Sequence, residues 1–263
     1  MKVQVLSSGS SGNCTYAEMG GARFLIDIGI SCRKTEQLLT AIGVSPDTID
    51  AVFITHEHID HVRGLSRFAA RHPTEVYCNE GTAAVLERMF MHEGIPVPPF
   101  VIFESRVPFM LGRLLVTPVR ISHDTAEPVA YTFDDTDADE KLGLFTDLGF
   151  VSDEVSQALG TCSALVLESN HDPDMLKNSG RPYTLVTRIA GTSGHLSNEQ
   201  ACQAVATVCP PCLRYIVLAH LSSECNDPTL ARAMMTATLK HIGRGDIRVD
   251  VASKNSPTEP FEH

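Results

Sequence analysis

The sequence predicts an α/β fold in which two sheets pack face to face, with helices covering both outer faces. Three observations point there. Strand-like apolar segments recur along the whole 263-residue chain. Both halves show the same rhythm of strands followed by helices. The densest group of potential metal ligands, His56-Glu57-His58-Ile59-Asp60-His61, directly follows the apolar run Ala51-Val52-Phe53-Ile54. That run reads as a buried strand, and a rigid strand end can aim several side chains at one point. At this length one large domain, residues 1–263, buries a full core.

Residues 3–7, 14–18 and 23–28 read as an opening meander of strands. Residues 31–42 read as a helix with Leu38, Leu39 and Ile42 on one face. Strand 51–55 leads into the His-rich turn. Helices follow at 62–71 and 82–92, then a proline-rich connection at 95–99. Residues 114–122, 129–133 and 142–146 read as strands. In the second half, 164–168 is a buried-type strand, 197–208 a helix with Ser197 and Gln200 at capping-box spacing, and 215–219 another buried strand. Asn226-Asp227-Pro228 opens a helix to about His241, with proline in its first turn, and 247–251 closes the fold as a strand. No linker, low-complexity tract or short-period repeat interrupts the chain.

Composition narrows the function. No run of about 18 apolar residues exists, so no membrane-spanning helix is expected. The opening Met1-Lys2-Val3-Gln4-Val5-Leu6-Ser7 is too short and strand-like for a signal peptide, which predicts a cytoplasmic protein. The eight cysteines are scattered, favouring free thiols in a reducing compartment. Cys209-Pro210-Pro211-Cys212 has CxxC spacing but no second pair to complete a structural zinc site, so a turn between helix and strand is expected. A net charge of −11 argues against a wide basic face for nucleic acid. It does not exclude a phosphate ester in the site, because two bound divalent cations add about four positive charges at one spot.

His56, His58 and His61 with Asp60 are too dense for a solvated loop, and their donor atoms suit zinc, manganese or iron. A strand-end site needs partners from elsewhere. His123, Asp147 and His220 each follow an apolar strand and enter a turn.

The order HxHxDH, strand-end His, strand-end Asp, strand-end His resembles the metallo-β-lactamase superfamily, and the resemblance runs over nearly the whole chain. It implies a four-layer αββα sandwich with the site at one edge. It also implies two divalent metal ions, Zn²⁺ or Mn²⁺ with Fe as an alternative. His56, His58 and His123 would hold the first; Asp60, His61 and His220 the second; Asp147 would bridge. Two metals about 3.5–4 Å apart share and deprotonate a water, which becomes the nucleophile. Asp60 and Asp147 therefore count with His195, below, as catalytic. Asp27, in Phe24-Leu25-Ile26-Asp27, matches the superfamily's early strand-end Asp and is expected to orient a ligand or the loop rather than bind metal. Glu57 receives no role.

The fold hosts lactamases, thioesterases, lactonases, phosphodiesterases and nucleases, so substrate must come from other residues. The opening Leu6-Ser7-Ser8-Gly9-Ser10-Ser11-Gly12-Asn13-Cys14 resembles the YycJ/WalJ group of exonucleases, whose members degrade DNA from 5′ ends. Ser10 and Asn13 would then contact substrate, with loop amides approaching an anion; an ordinary hairpin turn is the competing reading. Thr192-Ser193-Gly194-His195-Leu196-Ser197 resembles the SGH or SAH element of RNase J-like nucleases. His195 would bind a phosphate oxygen or protonate the leaving group, unless the segment only caps a helix. In Glu168-Ser169-Asn170-His171-Asp172, His171 either lines the site or sits in a plain βα turn. Lys254 stays unassigned.

RNase J-like enzymes carry an inserted clamp domain, and the interval between Asp147 and His220 is too short for one. Substrate is gripped by the core domain alone or by a homodimer. The sequence thus predicts a binuclear-metal phosphodiesterase, a 5′→3′ exonuclease acting on DNA in preference to RNA. A small-molecule phosphodiesterase or lactonase, or an adaptor with a structural metal site, are the alternatives.

Overall fold

The computed structural model describes residues 1–262. The first sheet is built from β1 (Lys2–Ser7), β2 (Cys14–Met19), β3 (Ala22–Ile26), β4 (Ala51–Phe53), β5 (Glu75–Asn79) and β6 (Phe100–Phe103), adjacent in chain order. The second is built from β7 (Phe109–Leu111), β8 (Leu114–Arg120), β9 (Val129–Asp135), β10 (Glu140–Phe145), β11 (Ala164–Glu168), β12 (Tyr215–Ala219) and β13 (Arg248–Val251). β14 (Phe261–Glu262) returns to the first sheet beside β1. Each sheet begins antiparallel and becomes parallel, at β3–β4 in the first and β10–β11 in the second. Parallel strands buried on both faces read as continuous apolar runs, which is why 164–168 and 215–219 were legible as strands.

Between the sheets lies a core holding Phe24, Phe53, Tyr131 and Phe133, all fully buried, with Phe53 stacked 5.0 Å from Tyr77 and edge-on to Phe133 at 5.1 Å. The outer face of the first sheet is covered by α1 (Cys32–Ala41), α2 (Ile59–Val62), α3 (Leu65–Ala69) and α4 (Glu80–Glu93). The outer face of the second is covered by α5 (Asp153–Leu159), α8 (Asn198–Val208) and α9 (Pro228–His241). Two short helices, α6 (Pro173–Lys177) and α7 (Tyr183–Ile189), lie between β11 and α8. The four-layer αββα sandwich is therefore the observed fold. None of the described helices is long and apolar enough to cross a membrane.

The capping box at Ser197 forms in full, with Gln200 reaching back to the Ser197 amide. One expected helix differs. Residues 62–71 are not continuous: helix begins at Ile59 and breaks at Arg63-Gly64. The break has a local cause. Helix continuity would pair the Gly64 amide with the Asp60 carbonyl, but that carbonyl accepts from Asn13 N at 2.8 Å, and Gly64 N donates to Ile28 O at 2.8 Å. A Cβ on Gly64 would meet Ile30 O at 2.3 Å, so only glycine allows this approach. Strands β5, β6 and β7, short or next to prolines, and helices α5 to α7 were not anticipated.

Candidate metal centre

Every expected ligand sits past the carboxyl end of a strand, at one edge of the sandwich. His56, His58, Asp60 and His61 follow β4, His123 follows β8, Asp147 follows β10 and His220 follows β12. Asp27 directly follows β3, and Glu168 ends β11. Three of these residues leave their strand through left-handed backbone: Asp27 at φ 59°, Asp147 at 60° and His220 at 56°. Such a corner turns the side chain sharply inward, and Asp and His tolerate it better than β-branched residues.

The ligand atoms of His56, His58 and His123 lie within 4.8 Å of one another, as do those of Asp60, His61 and His220. Asp147 stands between the groups. Its Oδ1 is 3.7 Å from His123 Nε2 and 3.6 Å from His220 Nε2, and its Oδ2 is 3.2 Å from His61 Nε2. Atoms that share one ion at ~2.0–2.2 Å are about 3.4 Å apart, so these spacings match a common cation.

The tautomers fit as well. A carboxylate or carbonyl oxygen can only accept, so the imidazole nitrogen facing it carries the proton. Nδ1 of His61 donates to Asp27 at 2.7 Å, Nδ1 of His220 to Glu168 at 3.0 Å and Nδ1 of His123 to Gly194 O at 3.2 Å. Thr55 spends its hydroxyl proton on Asp27, so Nδ1 of His56 donates to Thr55 Oγ1 at 3.0 Å. All four rings therefore turn Nε2 toward one another. Among these, His56 Nε2, His220 Nε2 and the Asp147 Oδ2 are buried without a hydrogen-bond partner. Orphaned buried acceptors are costly, and a cation relieves them.

Charge is arranged accordingly. Burial alone would raise the Asp147 carboxyl, but His220, His61 and His56 hold it well below the usual carboxylate range. Burial opposes a proton on His220, yet Asp147, Asp60 and Glu168 outweigh it and raise its pKa to about 10, so this spot favours positive charge and a bound cation would take the place of the proton on Nε2. Burial keeps His56 far below the normal imidazole value, hence neutral with a free lone pair.

Residues 22–220 match the family described as the beta-lactamase superfamily domain. Over 241 residues the chain is 36% identical to Exodeoxyribonuclease YycJ of Bacillus anthracis, covering 92% of this chain and 90% of that protein. Over 259 residues it is 32% identical to Exodeoxyribonuclease WalJ of Streptococcus pneumoniae, covering 98% and 94%. The chain belongs to the metallo-β-lactamase superfamily, in its YycJ/WalJ-like group. The Zn²⁺-bound PqqB of Methylobacterium extorquens shares the fold at a TM-score of 0.73 and 16% identity, covering 98% of this chain and 100% of that one.

In this YycJ/WalJ-like chain the surroundings of the ligands take defined places. Asp27 is 2% exposed and holds both His61 and Thr55, the orienting contact expected of it. Glu57 Oε1 accepts from Ala126 N at 2.8 Å, away from the ligand cluster. Ser10 and His195 line the cavity beside the ligands; Asn13 and His171 do not. Asn13 touches the ligands themselves: its Oδ1 accepts from Gly9 N at 2.9 Å, and its Nδ2 lies 3.0 Å from His61 Nε2 and donates toward Asp60 O at 3.3 Å. The opening loop spends most of its amides internally: Ser8 N on Ser253 O, Gly9 N on Asn13, and Gly12 N on Gly9 O. Ser8 Oγ accepts from His220 N at 2.7 Å, so this loop braces a ligand corner. His171 is 2% exposed, and its Nδ1 has no partner. Cys209 and Cys212 flank a turn held by Arg244, as expected of that segment.

Sequence reasoning passed over Glu168. It is fully buried and accepts four hydrogen bonds: His195 Nδ1 at 2.9 Å, His220 Nδ1 at 3.0 Å, Leu148 N at 2.9 Å and Leu196 N at 3.0 Å. Burial would raise its pKa, but His195 and His220 bring it down to about 2. A carboxylate closing an otherwise apolar strand was the available signal.

Proposed function

We propose that this chain is a cytoplasmic, metal-dependent phosphodiesterase that removes nucleotides from the 5′ ends of DNA. The observation that carries the reading is the convergence of seven ligand side chains at one edge of a chain so similar to two exodeoxyribonucleases over nearly its full length. Eight free thiols support a reducing compartment.

His56, His58 and His123 would hold one divalent cation, Asp60, His61 and His220 a second, and Asp147 both. Bound there, Zn²⁺ or Mn²⁺ supplies an activated water and offsets charge on the phosphoryl oxygens. The chain's own residues do the rest. Glu168 takes the proton-bearing Nδ1 of His195, leaving Nε2 for substrate. Burial opposes charge on His195, but Glu168 prevails and raises its pKa. His195 is thus kept as a proton donor for the leaving oxygen. Ser10, at the cavity wall, offers a hydroxyl to a phosphate oxygen.

The test is incubation of end-labelled, 5′-phosphorylated DNA and RNA with Zn²⁺ or Mn²⁺. Stepwise shortening of DNA from its 5′ end is expected. No shortening, together with rapid hydrolysis of a small ester, would make this a small-molecule hydrolase of the same fold.

A further inference from the structure

The cavity at the ligand cluster encloses about 210 Å³. Sites that engulf a ligand measure ~300–1,000 Å³, so this one admits a scissile phosphate and little more. A polymeric substrate must be held outside the ligand cluster, and the carboxylates lining the cavity, Asp60, Asp124 and Asp147, repel it unless cations are bound. Among the described residues lining the cavity, Arg188 is the one Lys or Arg.

Arg188 combines a free side chain with a fixed backbone. It stands on α7, none of whose residues is buried, and its side chain is 65% exposed. Its Nε donates to Asp124 Oδ2 at 2.8 Å, and its Nη2 contacts the same oxygen. The other oxygen of Asp124 lies 3.5 Å from His123 Nε2 and 4.0 Å from His58 Nε2. Beneath the side chain, the end of α7 is locked to the centre. A Cβ on Gly194 would fall 2.1 Å from Ile189 O and 2.3 Å from Arg188 O, so the turn before His195 packs directly on this backbone. His195 N donates to Ile189 O at 2.9 Å, and Gly194 O accepts from His123.

We propose that Arg188 is the strand-gripping residue of this centre. Its guanidinium exchanges Asp124 for a backbone phosphate of DNA adjoining the scissile one. The inference rests on the nuclease reading above. A planar guanidinium fork accepts carboxylate and phosphate alike, so Asp124 occupies the place of the anion until a strand arrives. A diester with a single phosphate gives Arg188 nothing further to hold, whereas a strand does. The device answers how an acidic chain without a clamp domain retains a polyanion.

The test compares 5′-phosphorylated single-stranded DNA with bis(p-nitrophenyl) phosphate, using metal-loaded wild type, Arg188→Ala, Arg188→Lys and Asp124→Asn. Arg188→Ala should raise KM on DNA about tenfold while kcat moves by less than about threefold, the loss of one charge-assisted contact at an exposed site. The slope of log KM against log salt should flatten by about 0.7, the share of one single-strand phosphate. Arg188→Lys should recover part of the KM, and Asp124→Asn should not raise it. Equal losses on both substrates, an unchanged KM on DNA, or a KM rise in Asp124→Asn matching Arg188→Ala would overturn the role. Wild type that cleaves the short diester but no DNA overturns the nuclease reading itself, and this inference with it.

Discussion

Among the described residues, two places gather three or more metal-binding side chains within 4.8 Å: the strand-end centre, and Cys32, Glu36 and His72 on the outer helical layer. In the outer cluster one oxygen, Glu36 Oε1, already accepts Cys32 Sγ at 3.3 Å, His72 Nε2 at 3.2 Å and Arg71 Nη1 at 3.2 Å. The second nitrogen of His72 faces Asp47 at 2.6 Å. No polar atom of this trio is buried without a partner. In the strand-end centre the rings of His56, His61, His123 and His220 are anchored through Nδ1, and buried polar atoms are left over at His56, His220 and Asp147. Crowding of ligand types is common to both. Unclaimed lone pairs aimed at one point belong to one of them, and they are the mark of a cation site.

The contrast breaks if the two clusters respond alike to mutation. The largest effect is expected for His56→Ala or Asp147→Ala: bound metal, measured by elemental analysis, should fall by at least one equivalent, and turnover by ~10³-fold or more. Retention of full metal would remove the basis of the distinction. Next, His195→Ala should cost ~10²–10⁴ in turnover with metal content intact, since His195 is not one of the seven expected ligands and donates its Nδ1 proton to Glu168. If instead it loses metal while keeping specific activity per bound ion, His195 is a ligand and the assignment fails. Sharper still is the pair Asp27→Asn and Asp47→Asn, which remove the same carboxylate–imidazole contact, at 2.7 Å and 2.6 Å. Competition with a chromophoric chelator should show ~10–100-fold weaker metal binding for Asp27→Asn and none of this for Asp47→Asn. The smallest change is expected for Cys32→Ser and His72→Ala: unaltered metal stoichiometry and a shift in Tm of only about 4 °C or less. Loss of an equivalent in either would mark the outer cluster as a second metal site.

What could be read from the sequence follows from how local its causes are. His56, His58, Asp60 and His61 stand out because four donors share one turn, and His123, Asp147 and His220 because each ends an apolar run. Glu168 also ends an apolar run, but its role depends on His195 and His220, which are distant in sequence. The break at Gly64 was invisible because it is imposed by Asn13 and Ile28 from other segments. Asn13 was expected at substrate and instead contacts the ligand His61, because a loop of serines and glycines says nothing about which of its polar groups are already used. Arg188 gave no signal at all: a lone arginine on a short exposed helix acquires meaning only from the cavity it lines and from Asp124, distant in sequence.

The left-handed corners at Asp27, Asp147 and His220 have an evolutionary consequence. Such a conformation costs a non-glycine residue on the order of 1 kcal/mol, and glycine would relieve it at each corner. Glycine carries no ligand. Selection for heat resistance alone would therefore erode these three positions, and a lineage released from the need for activity should lose its ligands here before it loses its fold.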